Sequence, residues 1–135
     1  MIAELECVVL DCRAPRELAG FYRAPRELAG FYSVLLGGEI DRPDRRWACD
    51  GDWSTLHTPG GLVLAFQRVA DHRPPNWPGQ DPPQQFHLDF GVTELERAHD
   101  EVLAAGASLL DAGDENRGWR VYADPAGHPF CLVRH

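Results

Sequence analysis

The pattern that most constrains this chain lies in its second half. Gln85-Phe86-His87-Leu88-Asp89-Phe90 alternates with period two, and an amphipathic stretch follows it. Later come Trp119-Arg120-Val121-Tyr122-Ala123, the turn signal Asp124-Pro125-Ala126-Gly127 and the apolar run Phe130-Cys131-Leu132-Val133. Period two marks half-buried strands, and spacings of three and four mark a helix packed on one side. The expected order is therefore a strand over 86–92, a helix over 95–105, a short strand over 108–110, and a hairpin of 119–123 with 130–134. In the helix Leu95, Ala98, Val102 and Ala105 form one stripe, while Glu96, Arg97, Asp100 and Glu101 take the other. Gly106 supplies a C-terminal stop, and Thr93 with Glu96 three residues on matches a capping box. His128, beside a glycine suited to positive φ, reads as a solvated turn residue.

The first half begins the same way. Cys7-Val8-Val9-Leu10-Asp11-Cys12 reads as a strand leading into a helix that ends at Leu35-Leu36-Gly37-Gly38. A charged connection over 41–46, a strand over 47–56 broken by a turn, the turn signal Pro59-Gly60-Gly61 and a buried strand over 62–69 complete it. From Asp71 to Pro83 five prolines surround Trp77, a density that no helix or central strand accepts. This stretch is read as a linker, 71–83, between a module of about 4–70 and a module of 84–135.

A perfect tandem duplication interrupts the first module: residues 13–22, Arg-Ala-Pro-Arg-Glu-Leu-Ala-Gly-Phe-Tyr, recur unchanged as 23–32. Ten identical residues in a row differ from the drifting self-similarity of a solenoid, so one copy is read as an insertion. One continuous helix through both copies is not expected. It would place Pro25 in its interior, at a cost of about 3 kcal/mol. The second copy is expected to form the helix, with Pro25 in its first turn, and the first copy to be extruded.

These elements, with the Asp124-Pro125-Ala126-Gly127-His128 turn, resemble the vicinal oxygen chelate superfamily, the glyoxalase and bleomycin-resistance-like proteins, over nearly the whole chain. The resemblance implies an α+β fold of paired βαβββ modules that wrap a concave pocket. It implies no single reaction, because the superfamily hosts lyases, isomerases, dioxygenases, thiol transferases and sequestering proteins. Its four metal-ligand positions fall at Cys7, Ala65, His87 and Cys131. Metal-dependent members hold mainly His, Glu and Gln there, whereas alanine offers no donor, so no metal cofactor is expected. The alternative is a divalent ion such as zinc on Cys7, His87 and Cys131. The resemblance also implies a homodimer.

Composition narrows the function further. A net charge of -8 with no lysine and no basic run argues against nucleic acid and favours a neutral or cationic small ligand. No stretch approaches the roughly 18 apolar residues of a membrane span. Cys7, Cys12, Cys49 and Cys131 form no CxxC pair, and the acidic start of the chain lacks a long apolar run, so a reducing cytoplasm is expected. Strand alternation sets Cys7, Val9 and Asp11 on one face and His87 with Asp89 on the matching face of the second module. His87 is the candidate general base; Gln67, Asp89, Trp53, Trp119 and Tyr122 are the candidate ligand-touching residues. The expected function is binding of a small organic molecule, as a sequestering or resistance-type protein. The alternative is a metal-independent lyase, isomerase or hydrolase.

Overall fold

In a computed structural model, residues 1–13 and 24–135 are described. They form two compact units, Met1–His72 and Arg73–His135, so the boundary falls inside the proline-rich segment. Each unit has the same order of elements.

In the first unit β1 (Val8–Cys12) is followed by α1 (Ala24–Leu36), β2 (Glu39–Ile40), β3 (Trp53–His57) and β4 (Val63–Arg68). The sheet order is β1-β4-β3-β2, with β1 and β4 parallel and the other pairs antiparallel. The helix uses the second copy of the duplicated segment, with Pro25 in its first turn, where a missing N–H costs no intrahelical bond. Residues 14–22, nearly all of the first copy, lie outside the described residues. Leu28, Ala29 and Tyr32 form the buried stripe of α1, and Tyr32 stacks on Phe66 of β4 at 5.7 Å. Alternation along β1 is as read: Leu10 and Cys12 face the helix side and are buried, while Val9 is exposed. Strand β2 lies between the expected helix end at Gly38 and the expected connection over 41–46, where the sequence assigns no element. Its two residues carry no alternation of their own and become a strand through pairing with Leu56 and His57.

The second unit repeats the plan with β5 (Leu88–Val92), α2 (Leu95–Ala105), β6 (Ser108–Asp111), β7 (Trp119–Ala123) and β8 (Pro129–Arg134). Its sheet order is β5-β8-β7-β6, again with one parallel pair, β5 with β8. The chain is thus an α+β fold of two βαβββ units. Leu95 and Val102 anchor α2, and behind the sheet Tyr122 stacks on Phe130 at 5.5 Å. Full burial of a phenylalanine such as Phe66 or Phe130 contributes about 1.5–3 kcal/mol.

The helix ends where expected, with Gly106 in the left-handed region (φ 119°) returning its N–H to Leu103. Its start is a correction. Glu94 is the N-cap and makes no side-chain cap bond, so the Thr93 and Glu96 box does not form. Glu96 is instead drawn to the Arg120 guanidinium of β7, a charge-assisted bond that a backbone N–H cannot match. The strand read as 86–92 starts only at Leu88, which leaves His87 just ahead of it.

The turn between β7 and β8 is held by Asp124, whose Oδ1 accepts from the N–H groups of Ala126 (2.8 Å) and His128 (3.0 Å). Gly127 sits at φ 91°, and a Cβ there would come within 2.4 Å of Pro74 Cβ, so the proline segment packs directly on this turn. Among the described residues no helix is long and apolar enough to cross a membrane.

Candidate functional site

The two sheets are built on one ladder. In the first unit, rungs across β1, β4 and β3 align Val9 with Ala65 and Thr55, then Asp11 with Gln67 and Trp53. In the second, rungs across β5, β8 and β7 align Asp89 with Cys131 and Val121, then Gly91 with Val133 and Trp119. Ala65 and Cys131 therefore hold equivalent rungs, and so do Val9 and Asp89. The inner rung of the first unit is Val, Ala and Thr; that of the second carries a carboxylate and a thiol.

On this face of the second unit lies a cavity of about 350 Å³ lined by Trp77, Gln84, His87, Asp89, Trp119, Val121, Pro129, Cys131 and Val133. Tryptophan, valine and proline form most of the wall, and the polar groups converge. His87 Nε2 lies 3.3 Å from Asp89 Oδ1, and a nitrogen of His87, a carboxylate oxygen of Asp89 and Cys131 Sγ all fall within 4.8 Å of one another. Period two explains the convergence. His87 and Asp89 are two residues apart on one face, and Asp89 is the cross-strand partner of Cys131. Burial pushes the Cys131 thiol up to about 11, helped by its hydrogen bond to the Asp89 carboxylate and by that group's charge, while Arg117 opposes the shift. At neutral pH the thiol is protonated and is no spontaneous nucleophile.

His87, Asp89 and Trp119 are thus brought together at this cavity. Tyr122, expected among the ligand-touching residues, is on the opposite side of β7: it is fully buried against α2, with its OH 2.9 Å from His99 Nδ1. Trp119 and Tyr122 are three positions apart and so cannot share a strand face. Gln67 and Trp53 are cross-strand partners in the first unit, where Gln67 Nε2 donates to Asp11 Oδ1 at 3.3 Å. Trp53 Nε1 is buried there without a hydrogen-bond partner among the described residues. Cys7, also in the first unit, precedes β1, and burial raises its thiol pKa, with Glu6 adding to the shift and Arg46 opposing it.

Gln84, Val121, Pro129 and Val133 line the cavity without having been singled out by the sequence. For Val121 and Val133 the signal was present, since each lies two positions from a residue already placed on this face. Gln84 comes from irregular backbone, which has no periodicity to read.

The four metal positions implied by the resemblance can be tested on these residues. Ala65 is fully buried and has no donor atom, and its neighbours on the rung are Val9 and Thr55. The family's ligand set therefore does not fit this chain.

The comparisons agree with this architecture. A family model described as a glyoxalase-like domain matches residues 23–133, so the chain belongs to the glyoxalase-like family. The match begins at the second copy of the duplicated segment. Among solved structures the fold is similar to a glyoxalase/bleomycin resistance protein/dioxygenase family enzyme from Burkholderia phytofirmans PsJN, at TM-score 0.67 and 17% identity over 98% of each chain. The fosfomycin resistance protein FosX from Listeria monocytogenes aligns at TM-score 0.63 and 12% identity, covering 100% of this chain and 95% of that one. FosX from Mesorhizobium loti gives 0.63 and 11%, over 98% and 92%. These identities speak to fold. No curated protein matches at a significant level.

Proposed function

We propose that this chain binds a small organic molecule in the cavity of its second unit, as a sequestering or resistance-type protein, without the family's four-position metal. The observation that carries this reading is the cavity itself: about 350 Å³, walled by Trp77, Trp119, Val121, Pro129 and Val133, with its polar groups gathered at one place. An apolar, aromatic wall supplies affinity, and a few fixed polar groups supply orientation. The glyoxalase-like family and the fosfomycin-resistance neighbours support a resistance-type role. The excess of acidic over basic residues supports a neutral or cationic ligand.

A second reading has its own observation. Asp89 Oδ1, 3.3 Å from His87 Nε2, can orient the imidazole so that Nδ1 carries the lone pair, which is the arrangement of a general base held by a carboxylate. On that reading the protein is a lyase, isomerase or hydrolase with His87 as base. In either case it works in the cytoplasm as a homodimer, as family analogy suggests, and light scattering giving a 15.1 kDa species would contradict the dimer.

A thermal-shift screen against glycopeptide drugs and thiol adducts of 2-oxoaldehydes tests the binding reading. At least one compound is expected to raise the melting temperature saturably; none doing so would count against it. His87 is exposed and outside regular structure, so His87→Ala is expected to keep the circular dichroism spectrum of the parent and lose most of the ligand response. A variant that binds unchanged but no longer turns over a bound compound favours the enzyme.

A further inference from the structure

We infer that the Asp50-Gly51 step, in the turn ahead of β3, is a site of spontaneous covalent rearrangement, in which the chain passes through a cyclic imide and emerges linked through the side chain of Asp50. The site lies in the first unit and shares no residue with the cavity, so it stands apart from the binding proposal. Its chemistry needs only the chain and water. The Gly51 nitrogen gives up its proton to solvent and attacks Cγ of the protonated Asp50 carboxyl. A C–N bond forms, and the carboxyl hydroxyl takes up a proton and leaves as water. A second water then opens the five-membered ring. Opening at Cγ restores aspartate, whereas opening at the former main-chain carbonyl leaves the chain running through Cβ and Cγ with the α-carboxylate free. One water is lost and one regained, so the mass is unchanged.

Five aspartates among the described residues share the local geometry that this reaction uses, and four of them are blocked. Asp44, Asp50, Asp111, Asp114 and Asp124 each accept with Oδ1 from the N–H two residues on, at 2.8–3.0 Å. A side chain held in that bond curls over the intervening peptide and turns its Cγ toward the next residue's nitrogen. Asp44 and Asp111 are paired with Arg46 and Arg117, whose hydrogen bonds hold both carboxyls below the usual carboxylate range and so keep them ionised. Asp114 is followed by Glu115, whose side chain crowds the nitrogen, and its Oδ1 takes a second N–H, from Arg117, at 3.1 Å. Asp124 is buried and is followed by Pro125, which has no N–H to give up. Asp50 meets none of these obstacles. It is exposed, no arginine among the described residues pairs with it, and the Gly51 N–H has no hydrogen-bond partner among them either. Asp50-Gly51 is also the chain's one Asp-Gly step, and there is no Asn-Gly. Gly51 stands at φ 100°, a conformation that suits glycine and leaves the nitrogen without a neighbouring Cβ. The added methylene enters the backbone beside Asp52, whose carbonyl accepts from the Arg68 N–H at 2.8 Å and whose carboxylate pairs with Arg68. The change therefore falls where β3 joins its ladder.

The direct test ages the full chain in mildly acid buffer, digests it with trypsin and follows the peptide Trp47–Arg68 by liquid chromatography and mass spectrometry. The expected result is a second peak of that peptide that grows at unchanged mass, accompanied by a species lighter by one water, with electron-transfer fragments placing the isomer at residue 50. Its yield should exceed that at Asp111 or Asp114 severalfold. Asp50→Glu keeps the charge but requires a six-membered ring, so it should remove the peak. Gly51→Ala should slow the reaction severalfold. An isoaspartyl carboxyl methyltransferase should label the aged parent and leave aged Asp50→Glu unlabelled. An aged parent without the isomer at residue 50, equal yields at Asp111 or Asp114, an undiminished peak in Asp50→Glu, or Gly51→Ala reacting as fast as the parent each overturns the inference. If Gly51→Ala fails to fold by circular dichroism, the parent and Asp50→Glu decide.

Discussion

Asp41 shows how one residue joins the elements of the first unit. It adopts φ 55°, a left-handed conformation that aspartate and asparagine accept more readily than most residues. Its Oδ1 accepts from Ser54 Oγ at 2.6 Å and from the Thr55 N–H at 3.0 Å, and Oδ2 pairs with Arg26 of α1 at 2.6 Å. Burial alone would raise its pKa, but the hydrogen bonds from Ser54 and Thr55 and the Arg26 charge outweigh that, and the group is held below the usual carboxylate value. A depressed folded-state pKa contributes stability above the unfolded value of about 3.9, which is lost as pH falls through the folded one. Asp41→Asn keeps the turn-compatible side chain and removes the charge, so it is expected to cost about 1 kcal/mol near pH 7. Urea unfolding at several pH values should show this difference shrinking below about pH 4; a difference independent of pH would contradict the assignment. The sequence could not reveal this role, because Ser54 and Arg26 reach Asp41 only after β2 and β3 have paired. The same holds for Asp89 and Cys131. Each was singled out, but their meeting depends on cross-strand register between distant segments, which alternation alone does not set.

At the scale of elements, what was legible follows from local periodicity. Helix α2 and strand β7 begin and end where their patterns do, because Gly106 and the Asp124 turn stop them locally. The miss at β2 and the failed capping box at Thr93 have the opposite cause, since tertiary partners, His57 in one case and Arg120 in the other, decided the outcome. The duplicated segment belongs to this scale too. Helix α1 is made from the second copy, and Phe31 and Tyr32, which end that copy, carry its core contacts. Deleting residues 13–22 rejoins Cys12 to an identical decapeptide and leaves the helix sequence unchanged. Removal of a long insertion also lowers the loop-closure cost between β1 and α1. The deletion variant is therefore expected to melt higher than the parent in calorimetry and to keep its ligand response. A variant that fails to fold would show the first copy to be integral.

For the whole molecule, duplication of one ladder explains why fold and function separate. Both units use the same register, one parallel pair and one helix at the back, so the architecture tolerates exchange at each rung. The first unit has filled its inner rung with Val9, Ala65 and Thr55, while the second retains Asp89, Cys131 and the adjacent His87 beside an aromatic wall. Family membership was readable from the order of elements, whereas the asymmetry between units required the register. The central claim is that the cavity of the second unit is where a ligand sits. The most direct measurement follows the indole N–H signals of the four tryptophans by ¹H–¹⁵N NMR during titration with the compound that stabilises the protein most in the thermal-shift screen. The account predicts saturable shifts of the Trp77 and Trp119 signals, both lost in His87→Ala. Saturable binding that leaves Trp77 and Trp119 unmoved would contradict it.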